Sequence, residues 1–127
     1  MSTMCVIGVE QPDGTVKGIT CWRDGQLENA GRLLQRYYNT EELASALVAL
    51  GDISSLEKKL NPTGPHTFYD PETNVTVAYH RDRGLDLRID TWRSAEDFYH
   101  NEHESEFNYL FSQGEWFWNE KQLTKYV

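Results

Sequence analysis

The chain has 127 residues, a length that suits one domain and lets it bury a core without disulfides or metal. Twenty acidic against twelve basic side chains leave a net charge of −8, which disfavours general nucleic-acid or anionic-membrane binding, where Lys and Arg supply most of the affinity. No apolar run approaches a membrane span and the first residues carry no basic leader, so a cytoplasmic protein is expected.

Met4 to Val9 and Lys17 to Trp22 alternate like strands around Pro12-Asp13-Gly14, a three-residue hairpin loop. With Gln11 opposite Thr15, Cys5 faces Cys21 and Ile7 faces Ile19. The cysteines read either as a cross-strand redox pair or as two small buried residues. The second reading is simpler, since cytosolic thiols stay reduced and no Cys-x-x-Cys spacing exists. Arg23-Asp24-Gly25 then turns the chain, with the glycine taking the positive φ. Leu27, Ala30, Gly31, Leu34 and Tyr38 recur at helical spacing, and the adjacent Tyr37-Tyr38 pair is expected to close that helix against the sheet. Thr40 opens a second helix carrying Leu43, Ala46, Leu47 and Leu50, ended by Gly51. Ser54 and Ser55 look like caps of a short helix running to Leu60.

The hairpin pattern recurs twice. Val75 to Arg81 and Leu85 to Ile89 flank Asp82-Arg83-Gly84, placing Val77 and Tyr79 beside Ile89 and Leu87. Phe107 to Phe111 and Glu115 to Trp118 flank Ser112-Gln113-Gly114, so Leu110 meets Trp116. Phe68-Tyr69 adds a candidate short strand. Ser94-Ala95-Glu96-Asp97 resembles a capped helix start, and a helix is expected near 95–102. The expectation is a single α+β domain over residues 1–127: an antiparallel sheet of three hairpins with two or three helices packed on one face.

Candidate chemistry is sparse. His100 and His103, near Asp97, Glu102, Glu104 and Glu106, could offer a metal two imidazoles and a carboxylate, but the spacing misses His-Glu-x-x-His and an acidic solvated helix end gives the same string. No metal or cofactor is assigned. His80-Arg81-Asp82 copies three letters of the kinase catalytic loop, yet Leu87 stands where that loop needs asparagine. What remains is Arg81 and Arg83 at a tip, with His80 beside them and Arg88 beyond. Planar guanidiniums and nearby rings suit a nucleotide-like anion; the simpler reading is that the arginines only balance Asp82 and Asp86 across the turn. Trp22-Arg23 at a strand-to-helix junction adds an anion-receiving position, against which Asp24 and Glu28 count.

Trp22-Arg23-Asp24-Gly25, Tyr38-Asn39-Thr40, Leu50 to Leu56, Asn108-Tyr109-Leu110-Phe111 and Trp116 together resemble a family of small bacteriophage-encoded accessory proteins, over about residues 15–118. Where that pattern reads His-Trp-Asp-Gly-Tyr-Pro, this chain has Cys21-Trp22-Arg23-Asp24-Gly25-Gln26. The resemblance implies a protein made in the cytoplasm of an infected bacterium, outside the virion. From it we expect a non-enzymatic binding protein that interferes with a host process or antiphage defence.

It would do so by sequestering a nucleotide-like signal with Arg81, Arg83, Arg88, His80, Trp22 and Arg23, or by blocking a host protein with its acidic second half. Residues 64–127 carry twelve acidic and six basic side chains, against eight and six before them. The alternative is a small enzyme acting on a phosphorylated or nucleotide substrate with His80, His100 or His103 as acid–base group. Direct nucleic-acid binding is not expected, and self-association is compatible with the same features.

Overall fold

Residues 3–100 and 107–127 are described by the structure, a computed structural model. Strand β1 (Cys5–Glu10) and β2 (Val16–Arg23) pair antiparallel with Cys5 opposite Cys21 and Ile7 opposite Ile19, the register expected. Gly14 N donates to the Gln11 carbonyl at 2.9 Å to close the loop. Both cysteines are free and fully buried. At the end of β2 it is Asp24 that takes the positive φ, 55°. Gly25 is required for a different reason: a Cβ there would lie 2.6 Å from Cys5 Cβ and 2.7 Å from its backbone nitrogen.

A π-helical turn (Leu27–Gly31) runs into α1 (Arg32–Tyr37), and α2 (Glu41–Ala49) follows with the Thr40 hydroxyl accepting from Leu43 N. Their buried residues, Leu34, Tyr38, Ala44 and Leu47, cover Ile7, Ile19, Cys21, Ile53, Tyr109 and Trp116 on one sheet face. Tyr38 sits in the core as expected, and its carbonyl accepts from Trp116 Nε1 at 2.8 Å.

Three expected elements do not form. No helix follows Ser54 and Ser55: β3 (Ile53–Ser55) pairs parallel with β2, since burying Ile53 beside Cys21 and Leu56 in the core outweighs capping. Phe68-Tyr69 forms no strand. The middle hairpin is absent as well. Val77–Ala78 (β4) pairs with β3, and Tyr79–Arg83 (α3) is a helix, in which Asp82 Oδ2 accepts from Ala78 N at 2.8 Å. Gly84 is left-handed, φ 76°, but it ends this helix, its N–H donating to the His80 carbonyl.

Strand β5 (Asp90–Trp92) pairs with β2, and α4 (Ala95–His100) starts on Ser94 Oγ, which accepts from Asp97 N. The rest of the expected 95–102 helix lies outside the described residues. α4 packs Phe98 on the sheet's second face with Val6, Val16, Trp92 and Leu110, so helices cover both faces and not one. Strands β6 (Phe107–Ser112) and β7 (Glu115–Trp118) form the last hairpin, one residue out of the expected register. Gln113 and Gly114 are both left-handed, which makes a two-residue turn; Phe111 therefore faces Trp116, and Leu110 faces Phe117. β8 (Lys121–Gln122) completes the edge.

β6 runs parallel to β1, so the sheet is mixed, in the order β4-β3-β2-β1-β6-β7-β8 with β5 also on β2. Among the described residues there are eight strands and four α-helices. The α+β class holds. Among the described residues no helix is long and apolar enough to cross a membrane.

Candidate functional site

One edge of β2 has two partners. β5 takes Val16 to Gly18, β3 takes Cys21 and Arg23, and the strands diverge between them. Thr20 N, left without a strand partner in this fork, donates to Asp52 Oδ1 at 2.9 Å. The Asp52 backbone ties the fork's other walls together: its N–H donates to the Arg88 carbonyl at 3.1 Å, and its carbonyl accepts from Tyr79 N at 3.2 Å. Diverging neighbours open a crevice for the same reason that ligands collect where strands part in other open sheets.

That crevice, about 460 Å³, is lined by Trp22, Asp52, Tyr79, Leu85, Asp86 and Arg88. Alternation along β2 puts Trp22 on the face opposite Cys21, beyond the end that α4 covers, and it is 43% exposed. Leu85 is 45% exposed, so two large apolar side chains stand open around one opening. Burial pushes the Asp52 carboxyl above its ordinary range. The Thr20 amide and Arg88 pull it back, Asp90 pushes it further up, and Trp22 favours its charged form.

A second ring cluster adjoins the crevice through Tyr79, whose ring lies 5.2 Å from Phe68. Arg83 stands over Phe68 and Tyr69, at 5.2 and 5.4 Å from their centroids, and Tyr69 is 76% exposed.

Of the six residues read as ligand-binding in the sequence, Trp22 and Arg88 share the crevice and the others do not line it. Arg81 is held elsewhere: its guanidinium donates to Asp82 and to the Leu60 and Thr76 carbonyls, at 2.7 and 2.6 Å for the last two. Arg83 is stacked on rings, and Arg23 extends from the end of β2. His80 Nδ1 lies 2.7 Å from the Leu85 carbonyl, which can only accept, so the ring proton sits there.

His66, which no motif singled out, belongs to the Arg81 network. Its Nε2 is 3.1 Å from Asp82 Oδ2 with both side chains nearly fully buried, and its Nδ1 accepts from Glu72 N. Burial alone would raise Asp82; hydrogen bonds from Arg81 and the Ala78 amide, with the His66 ring alongside, outweigh it and hold the carboxyl below its ordinary value. This network fixes α3, and thereby Tyr79 and Leu85, at the crevice wall.

His100 Nε2 stands 3.6 Å from Glu120, exposed and away from the crevice. His103, Glu102, Glu104 and Glu106 lie outside the described residues. Among the described residues no three His, Cys, Asp or Glu side chains converge to hold a metal. Sequence reasoning missed Asp52, Tyr79, Leu85 and Asp86. The one available signal was Asp52 itself, an acid directly after a helix-ending glycine and before the buried Ile53. Compared with protein-family models, with curated proteins and with solved structures, the chain matches none.

Proposed function

We propose that this chain is a non-enzymatic binding protein whose fork face docks on a bacterial host protein and blocks it. It would act in the cytoplasm of an infected cell, as the sequence resemblance to phage accessory proteins implies. The observation that carries the reading is the crevice lining, where Trp22 and Leu85 are left 43% and 45% exposed. Trp, Tyr and Arg flanked by aliphatic surface are the residue types that dominate protein interfaces, and a domain of this size gains nothing for its own stability by exposing them. The arginines speak in the same direction. With Arg81 bound to Asp82 and Arg83 stacked, an anion entering the crevice would meet Arg88 together with the carboxylates of Asp52 and Asp86.

The test is capture from infected cells with tagged protein, comparing the native chain with a Trp22→Ser, Leu85→Asp variant that keeps the same circular dichroism. A host protein recovered by the native chain should be lost from the variant. Equal recovery by both would place docking elsewhere.

A second reading, sequestration of a nucleotide-like signal, draws support from the indole of Trp22 and the ring of Tyr79 lining the same crevice as Arg88. Calorimetry against cyclic nucleotides separates the two: heat at micromolar ligand favours the second, and its absence favours the first.

A further inference from the structure

The charge inside the fork constrains what enters it. Asp52 and Asp86 line the crevice against Arg88, and Asp90 is close enough to act on Asp52, so the local balance is negative within a chain of net charge −8. Among the described residues Asp86 has no ion pair, and Asp52 Oδ1 is engaged by a neutral amide and not by a cation. A carboxylate pair beside an exposed indole is complementary to a flat cation. It satisfies neither a phosphate, which the carboxylates repel, nor an uncharged apolar side chain, which would strip water from them without replacing it.

We propose that the fork crevice receives an arginine side chain of the partner protein, its guanidinium stacked on Trp22 and paired with Asp52 and Asp86 and its methylene stem against Leu85. This rests on the reading of the fork as the docking face, and it names the chemistry of what docks. Arginine fits better than lysine because a planar, weakly hydrated guanidinium can stack on a ring and donate in parallel to carboxylates at once, whereas an ammonium is a compact, strongly hydrated point charge. Tyr79, which lines the same crevice, would help to exclude water around that anchor.

The probe is N-acetyl-arginine methylamide, titrated into ¹⁵N-labelled protein. N-acetyl-citrulline methylamide serves as the uncharged isostere, and guanosine and adenosine monophosphates as anionic competitors. The Trp22 indole N–H, assigned with Trp22→Phe, should shift saturably with the arginine derivative and not with citrulline. Asp52→Asn keeps an acceptor for Thr20 N and so keeps the fold, while Asp86→Asn alters an exposed side chain. Each should weaken binding roughly tenfold, as loss of one charged hydrogen-bond partner does.

Equal shifts with citrulline, a nucleotide that moves the indole when arginine does not, or no loss in either variant would overturn the inference. Should the arginine probe fail while the Trp22→Ser, Leu85→Asp variant still loses its host partner, the docking face stands and the arginine anchor alone falls.

Discussion

A single carboxylate decides where α3 lies. Asp82 accepts from Ala78 N, from Arg81 Nε and Nη2, and faces His66 Nε2 at 3.1 Å, so one side chain joins a helix start, a cation and a buried imidazole. In the sequence it read as the first residue of a turn tripeptide, because Asp-x-Gly is a common hairpin signal, while its distant neighbour is His66 and the Arg81 that binds it is held by the Leu60 and Thr76 carbonyls. Asp82→Ala should cost about 3 kcal/mol in urea unfolding, the lower end for losing one partner of a buried ion pair, because Arg81 keeps its two carbonyls. A change within 0.5 kcal/mol, the ordinary range of surface substitutions, would show the network to be ornamental. Asp52 illustrates the complementary case: the letters around it are those of a helix end, and only the unpaired Thr20 amide gives its carboxylate a structural task.

The segment between β3 and β4 is ordered by polar clamps in place of regular strands or helices. Glu72 receives Lys59 Nζ, the Thr63 and Gly64 amides and the Thr63 hydroxyl, and its carboxyl is held down to about 2, chiefly by the Lys59 hydrogen bond and then by those amides. A depressed carboxyl stabilises the fold above its ordinary value of 4.5, and the contribution is lost as pH falls toward 2. The amide resonances of Thr63 and Gly64 should therefore titrate together with a midpoint about 2, and Glu72→Gln should abolish the step. A midpoint at the ordinary value would remove the clamp. Such elements are hard to read from sequence because Asn61-Pro62-Thr63-Gly64-Pro65 has no periodicity to mark it. The first hairpin and α2 were legible for the opposite reason, being set by near neighbours: Pro12-Asp13-Gly14 closes one, and Thr40 caps the other.

Across the molecule, charge and exposed apolar surface coincide at the fork. If a cationic partner surface docks there, association should slow on the order of tenfold between about 0.01 and about 0.15 M salt, as the screening length falls from about 30 to about 8 Å. A rate that ignores salt would leave the apolar rim as the whole of the attraction. The sequence by itself determined the α+β class, the β1–β2 register, the two buried thiols and the acidic balance, since alternation, loop chemistry and composition act over a few residues. Tertiary structure alone decided that β1 and β6 lie parallel, that 79–83 is helical, and that Trp22, Asp52, Tyr79 and Arg88 surround one opening. Those outcomes depend on which distant backbone groups and carboxylates find partners, a competition settled only when the whole sheet has closed around its core.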